Sequence, residues 1–197
     1  DSGFVIFSRF DLLTVLKSAE HLKNNVLNDY IEYLEEIEEQ VQSYNSLPLD
    51  KWDGYSWQGF YNYIQNKLGD GGWGYVANAR GGFLGFWWKS IDNLGACAQY
   101  LQLEQEKLCF KISVDDERNR TNLKWEWHNR ILKAAEDNEL LRLIKPVLRN
   151  GQTMTVAVAE GDYRRTDSNG KIDLKKTIAV LKDAERVLVN AVAISEI

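Results

Sequence analysis

The chain has 197 residues, of which 44% are hydrophobic and 27% are charged, and its formal net charge is −5. This length can bury the core of one domain, and the acidic balance argues against nucleic-acid binding through a uniformly basic surface. No apolar run approaches the roughly 20 residues that span a bilayer, and Cys97 and Cys109 are too few for a disulfide framework or a zinc cluster. We therefore expect a cytoplasmic protein with no membrane partner.

The start of the chain, "DSGFVIFSRF", has no initiator methionine, and without a charged region followed by a longer apolar one we expect no signal peptide. It opens directly on an apolar stretch, which is typical of a segment cut from a larger protein. We interpret the chain as a fragment with a helical segment at residues 1–69 and an α+β domain at residues 70–197. The two segments are expected to form one compact unit.

The first third of the chain is predicted to be helical. Ser8 suits the N-cap of a short helix, and a longer helix should extend to about Tyr44. A third helix should have Ser56 as its cap and end at Gly69. The apolar residues of the second helix alternate spacings of three and four, as in a seam that faces one helical partner: Leu27, Tyr30, Leu34, Ile37, Val41 and Tyr44. We expect this seam to pack within its own domain, with a homo-oligomer as the alternative.

The centre of the chain is predicted to be a sheet. Four short segments, "GYVANA", "GFLGFWW", "ACAQYLQLE" and "LCFKISV", are rich in aromatic or β-branched residues. A helix from about Asp115 to Asn138, another through "LLRLIKPVL", a strand at "MTVAVAE" and a last helix from Leu174 to Ala193 should follow. The predicted fold class is α+β, with N-terminal helices followed by a small antiparallel sheet packed against C-terminal helices.

The stretch "QLEQEKLCFKI" at residues 102–112 could be a nuclease motif or a charged hairpin. A metal-dependent nuclease of the acid-x-lysine type needs its carboxylate and lysine two residues apart on one strand. Here Gln105, and not an acid, precedes Lys107 at that spacing. A chain reversal after Gln105 sets Leu103 opposite Leu108 and produces one apolar and one polar face. We therefore predict a half-buried hairpin without catalytic residues.

The same register predicts the roles of single side chains. Glu104 and Lys107 should form a cross-strand ion pair at the turn. Cys97 should point inward and Cys109 outward, so the two thiols should not bond to each other. Asp173 begins a second acid-x-lysine triplet, but it stands where the N-cap of the last helix belongs.

Basic residues gather in the loop before the last helix. Arg164, Arg165 and Lys171 are the best candidates for contact with phosphate groups. Charges solvated on the loop are the alternative interpretation. The glycines of "GDGGWG", at residues 69–74, match a dinucleotide-binding fingerprint, but they follow a helix and precede a strand, so we predict a turn.

Aromatic residues gather around the first strands. Trp87, Trp88 and Tyr100 could line an aromatic groove that stacks on bases or sugars. Packing in the core is the alternative interpretation. Exposure of these three side chains in a cleft would favour the groove, and their burial would favour the core.

Four segments carry a family resemblance: "FSRFDLL", "WGYVANARGGFLGFWW", "YLQLEQEKLCFKI" and "GQTMTVAVAEGDY". With these, most of the chain resembles the C-terminal portion of bacterial PD-(D/E)XK nuclease superfamily proteins, in which a restriction-endonuclease-like core comes first. The resemblance implies a parent protein that hydrolyses DNA phosphodiesters with Mg²⁺ held by acidic residues. The family's catalytic motif would lie upstream of Asp1. The resemblance therefore implies no catalytic residue, no metal ligand and no cofactor within this chain.

These observations predict a non-catalytic C-terminal accessory module of a nuclease-like protein. It would pack on the missing N-terminal nuclease core and support assembly or contact DNA. The alternative is a self-standing ligand- or peptide-binding domain that uses the aromatic groove.

Overall fold

A computed structural model describes residues 8–78, 81–93, 97–137, 141–147 and 149–194. They form α1 (Arg9–Ser18), α2 (Asn25–Gln42), α3 (Gly54–Leu68), β1 (Gly72–Asn78), β2 (Gly81–Asn93), β3 (Cys97–Glu104), β4 (Lys107–Ser113), α4 (Arg120–Asp137), β5 (Leu143–Ile144), β6 (Thr153–Ala159) and α5 (Leu174–Ala193). The predicted α+β class is confirmed, with N-terminal helices before an antiparallel sheet and C-terminal helices after it. None of the helices in these ranges combines the length and apolar character needed to cross a membrane.

The chain divides into two compact units, residues 1–60 and residues 61–197. The border falls inside α3, whereas the predicted border between residues 69 and 70 lies just after the end of α3. We call residues 1–60 the helical unit and residues 61–197 the sheet unit.

In the helical unit, α1 packs along α2. Ser8 caps α1 as predicted: its hydroxyl accepts a hydrogen bond from the amide of Asp11, and the Asp11 carboxylate accepts one from the amide of Ser8 at 2.8 Å. The core between the two helices is formed by Leu13, Ile31 and Leu34, which are each less than 8% exposed.

An aromatic cluster fills the rest of the helical unit. Tyr44, Trp52, Trp57 and Phe60 contact one another edge to face or tilted, with ring centroids as close as 5.1 Å between Trp52 and Trp57. A Cβ at Gly59 would lie 1.8 Å from the carbonyl oxygen of Val41, so glycine is required where α3 crosses α2.

The predicted cap of α3 is wrong by one turn. The carboxylate of Asp53 accepts hydrogen bonds from the amides of Tyr55 and Ser56, both at 2.9 Å, so the helix begins at Gly54. Asp53 serves as the N-cap because a carboxylate three residues before Ser56 reaches the unpaired amides of the first turn. The helix ends as predicted at Gly69, whose φ of 68° is in the left-handed region.

The sheet unit contains six antiparallel strands in the order β1-β2-β3-β4-β6-β5. Its central hairpin has the predicted register, with Leu103 opposite Leu108 and Leu101 opposite Phe110. These four side chains are fully buried on the face that α4 and α5 cover. We call this the covered face.

One predicted helix is absent from the described part of its segment. "LLRLIKPVL" instead contributes the two-residue strand β5, whose Leu143 and Ile144 pair with Ala159 and Val158 of β6. Pro146 has no amide hydrogen and its ring excludes the helical conformation before it, so the stretch is too short for a helix. Pairing with the edge of β6 satisfies the backbone instead.

Candidate ligand-binding groove on the open face of the sheet

The second face of the sheet, opposite to α4 and α5, carries the polar side chains of the central hairpin. We call it the open face, and its central residues are Trp87, Tyr100, Gln102, Glu104, Cys109 and Lys111. They alternate along the strands with the buried residues of the covered face, as the pleat requires.

The centre of the open face is more buried than the sequence predicted. Cys109 points away from the covered face, as expected, but it is only 2% exposed, and Gln102 beside it is 7% exposed. Burial raises the pKa of the Cys109 thiol to about 12, and it also raises the pKa of Cys97. Both thiols are free, so the expectation that they do not bond to each other is confirmed.

An ion pair along β3 and β4 explains this burial. Lys111 reaches Glu104 with its Nζ 2.7 Å from Oε1, although Glu104 is directly opposite Lys107. The predicted pairing with Lys107 is therefore replaced by one with Lys111. Because Cys109 lies between Lys107 and Lys111 on the same face, the long side chain of Lys111 passes the thiol. The exposed fractions of the Lys111 and Glu104 side chains are only 11% and 22%.

Trp87 lies against two glycines of the edge strand β1. A Cβ at Gly72 would be 3.5 Å from the indole Nε1, and one at Gly74 would be 3.3 Å from Cη2. The indole therefore extends along β1 with one ring face over the backbone of these glycines. Trp87 remains 41% exposed, which leaves the other ring face as a flat apolar surface.

A β-bulge next to Trp87 shapes the sheet. Trp88 pairs with Leu101 and Ile91 pairs with Gln99, so Lys89 and Ser90 together oppose the single residue Tyr100. Lys89 has a φ of 53°, in the left-handed region that a lysine seldom adopts.

Asp70 holds the bulge in place. One oxygen of its carboxylate accepts a hydrogen bond from the amide of Lys89 at 3.0 Å, and the other accepts one from the amide of Gly71 at 2.7 Å. The segment between α3 and β1, which the sequence predicted to be a turn, thus fixes the strained residue of β2. Strain of this kind recurs at binding sites, although it does not by itself identify one.

The bulge and Trp87 enclose a groove of about 540 Å³. Its lining consists of Asp70, Gly71, Gly72, Trp87, Trp88, Lys89, Ser90, Tyr100 and Gln102. Lys89 and Asp70 are the charged members of this set, so the lining is electrically balanced. Burial raises the pKa of Tyr100, whose hydroxyl bonds to the side chain of Thr153. The groove thus offers a flat indole, an amide and hydroxyl groups to an uncharged planar ligand.

The three predicted aromatic residues all border this groove but differ in exposure. Trp87 is exposed, Tyr100 is partly buried, and Trp88 is only 2% exposed. The indole N–H of Trp88 donates to a carboxylate oxygen of Glu185 on α5 at 2.9 Å. Trp88 therefore belongs to the covered face, and Trp87 and Tyr100 are the aromatic side chains that a ligand can reach.

The three predicted phosphate-binding residues lie in the loop before α5 but are not equivalent. Arg164 is 5% exposed, and its guanidinium binds both oxygens of Asp162, at distances down to 2.6 Å. A weaker ion pair at 3.5 Å joins Arg164 to Glu106 in the turn between β3 and β4. Arg165 is exposed and donates to the carbonyl of Asp162, and Lys171 is partly buried. Arg164 therefore fixes two loops to each other, and Arg165 has the more accessible charge.

The acidic residues of the hairpin and of α5 have structural partners. Glu104 binds Lys111, and Asp173 caps α5 as predicted by accepting a hydrogen bond from the amide of Lys176 at 3.0 Å. Across the ranges that the structure describes, no group of three or more His, Cys, Asp or Glu side chains could hold a metal ion.

Comparisons with protein-family models, with curated proteins and with solved structures find no match. The groove and the charge of the two units are therefore the features from which a function can be inferred.

Four polar or charged residues of the groove were not predicted as site residues: Asp70, Lys89, Ser90 and Gln102. Gln102 could have been found, because the predicted register places it next to Tyr100 on the polar face. The contribution of Lys89 and Ser90 depends on the bulge. The sequence signal for this bulge is the segment "WWKSID", in which two polar residues interrupt an apolar strand.

Proposed function

We propose that the sheet unit is a non-catalytic accessory module of a PD-(D/E)XK nuclease-like protein and that its groove binds an unpaired base of a nucleic-acid strand. The observation that carries the proposal is the position of Trp87. One face of its indole is supported by Gly72 and Gly74, and the other is exposed beside Tyr100 and Gln102. Base–aromatic stacking on such a platform contributes about 1–3 kcal/mol per base.

The chemistry of the groove suits a base better than a phosphate. Asp70 and Lys89 balance each other, so the site offers no excess positive charge to an anion. Ser90 carries an exposed hydroxyl, and Gln102, whose amide nitrogen lies 3.5 Å from a carboxylate oxygen of Glu104, keeps its carbonyl as an acceptor. Such groups pair with the edge of an unstacked base. The phosphates of the strand would then remain outside the groove, with Lys89 at its border.

The charge distribution also favours the sheet unit as the part that contacts nucleic acid. Residues 61–197 contain 20 basic and 18 acidic side chains, whereas residues 1–60 contain 4 basic and 11 acidic ones. The sheet unit thus has a net charge of +2 and the helical unit one of −7. Because +2 is small, stacking should dominate binding, and we expect affinity to fall only weakly with added salt.

The non-catalytic part of the proposal rests on the hairpin. Glu104 and Lys107 lie opposite each other across the turn, and Glu104 is bound by Lys111. This is not the single-strand arrangement that would present a carboxylate and a lysine to one metal ion. In the proposal, Mg²⁺-dependent hydrolysis belongs to the N-terminal nuclease core of the parent protein, on which this module packs.

Binding can be tested with fluorescein-labelled oligothymidylate and the whole chain. We expect saturable binding by fluorescence anisotropy, and we expect Trp87→Ala to weaken it about tenfold or more. Trp125→Ala is the matched control, because Trp125 is equally exposed, at 41%, but lies on α4. Equal losses in both variants, or none in Trp87→Ala, would contradict the proposed site.

Catalysis can be tested separately with supercoiled plasmid and Mg²⁺. We expect no nicking by the purified chain. Nicking that is lost in Lys107→Ala would show that the hairpin is an active site and would overturn the non-catalytic assignment.

The balanced charge of the groove favours a second candidate, a peptide whose aromatic or prolyl side chain stacks on Trp87. This candidate predicts the same loss in Trp87→Ala with a peptide probe. It also predicts no binding of oligothymidylate at any salt concentration, so the two candidates can be distinguished.

A further inference from the structure

A row of exposed apolar side chains runs along α2. Val26, Tyr30 and Tyr33 are 77%, 45% and 56% exposed, and Ile37, the next residue of the row, is partly buried. Their spacings of four, three and four residues place them on one side of the helix over about three turns. We call these four residues the outer stripe of α2.

The outer stripe is distinct from the side of α2 that packs on α1. That side contains Leu27, Ile31 and Leu34, of which Ile31 and Leu34 are buried. The predicted single seam of α2 therefore separates into two neighbouring stripes. One stripe is buried inside the helical unit, while the other exposes two tyrosines and a valine to solvent in one continuous row. Contiguous exposed apolar patches mark interaction sites more often than single exposed residues do.

Acidic residues surround the outer stripe. α2 contains six acidic side chains and no lysine or arginine. Glu35 and Glu38 form ion pairs with Lys17 and Arg9 of α1. The other four are Asp29, Glu32, Glu36 and Glu39. The 3.6-residue period of the helix places Asp29 and Glu36 along the border of the stripe, next to Tyr33.

We infer that the outer stripe is a docking surface for an amphipathic helix of a partner protein, with an apolar row flanked by lysine or arginine. Alternating spacings of four and three residues suit two helices that cross at a small angle and interlock their side chains. Basic flanks on the partner would face Asp29 and Glu36, and this complementarity would select the partner and its orientation.

The same charges argue against a second copy of this chain as the occupant. Two outer stripes in contact would bring the acidic borders of two helices together, with no basic side chain from either α2 to offset the repulsion. The helical unit as a whole has a net charge of −7, which adds to the repulsion between copies. We therefore expect the chain to be monomeric in sedimentation.

The test uses the whole chain and two synthetic helical peptides. Both peptides have the same leucine row, flanked by lysines in one and by glutamates in the other. We expect fluorescence anisotropy to show binding of the lysine peptide only. Tyr33→Ala should weaken it about tenfold, whereas Tyr75→Ala, which removes a tyrosine that is 66% exposed on β1, should leave it unchanged. Equal binding of both peptides, or equal effects of both substitutions, would overturn the inference.

A charge exchange separates specific docking from general hydrophobic contact. Replacing Asp29 and Glu36 together by lysine should transfer preference to the glutamate peptide. A variant that still prefers the lysine peptide, or a dimer of the natural chain that Tyr33→Ala dissociates, would contradict the assigned partner.

Discussion

The covered and open faces of the sheet are formed by alternate residues of the same strands, yet they differ in almost every physical property. Leu101 and Phe110 are fully buried on the covered face, while Tyr100 and Lys111, each one residue away, lie on the open face. Burial of apolar area makes the covered face the main source of stability. The open face combines exposed aromatic area, hydrogen-bonding groups and a strained bulge, which stability does not require.

The adjacent tryptophans show this difference most directly. Trp88 is buried and bonded to Glu185 of α5, whereas Trp87 is exposed and lies against two glycines of an edge strand. Substitutions on the covered face should therefore change the free energy of unfolding, and substitutions on the open face should change binding.

The largest effect is expected at Phe110. Phe110→Ala removes a fully buried ring at the centre of the covered face and should lower the free energy of unfolding by about 3–5 kcal/mol. Urea denaturation followed by circular dichroism measures this loss. A loss below about 1 kcal/mol would show that the covered face is not the core.

The two tryptophans should respond differently to truncation. Trp88→Ala should cost about 3–5 kcal/mol of stability. Trp87→Ala should cost less than half of that, because much of its ring is already exposed. Binding of oligothymidylate, measured under conditions where both variants are folded, should be weakened mainly by Trp87→Ala. If Trp88→Ala and Trp87→Ala lowered the free energy of unfolding equally, the covered and open faces would not differ in stability at these two positions.

The ion pair on the open face should have a smaller effect. A double-mutant cycle between Glu104 and Lys111 should give a coupling energy of about 1 kcal/mol, since both side chains are largely buried. Lys107 supplies the matched control, because it is directly opposite Glu104 but further from the buried centre. The coupling energy between Lys107 and Glu104 should be close to zero. A larger coupling energy for Lys107 than for Lys111 would show that Glu104 pairs with Lys107 in solution, as the sequence predicted.

The last effect concerns pH. Burial raises the pKa of Cys109 to about 12 from a usual value of 9.0. A thiol with a raised pKa in the folded protein stabilises it fully below pH 9, and this contribution falls as pH rises, because the unfolded thiol ionises first. The free energy of unfolding should therefore be constant near neutral pH and should decline above pH 9.

Replacing the thiol provides the control for the pH effect. Cys109→Ala should make the decline between pH 9 and pH 10 shallower without abolishing it, because burial also raises the pKa of Cys97 and of the buried tyrosines. An identical decline in the variant would show that other groups cause it.

Local patterns predicted the covered face and the caps of two helices, α1 and α5. Alternation in the central hairpin was sufficient to fix its register, and the caps at Ser8 and Asp173 were found from single residues. These features depend on interactions between residues that are close in sequence, or on one strand pair joined by a short turn. The period-2 pattern therefore determined which side chains of the central hairpin lie on the covered face.

The open face was harder to predict because its features come from residues that are distant in sequence. The bulge at Lys89 depends on a carboxylate at Asp70, 19 residues earlier. Burial of Cys109 depends on Lys111, which pairs with Glu104 although Lys107 is the residue directly opposite Glu104. No local pattern contains either contact, and composition alone could not separate Trp87 from Trp88 until the pairing with β3 was known.

We propose that the groove beside Trp87 binds nucleic acid on the open face. ¹H–¹⁵N spectra of the indole N–H groups, assigned with single Trp→Phe variants, test it during titration with oligothymidylate. We expect the Trp87 signal to shift with saturation while the signals of Trp88 and Trp125 stay in place. A saturable shift confined to Trp125, or no shift at Trp87 at concentrations where binding is complete, would contradict it.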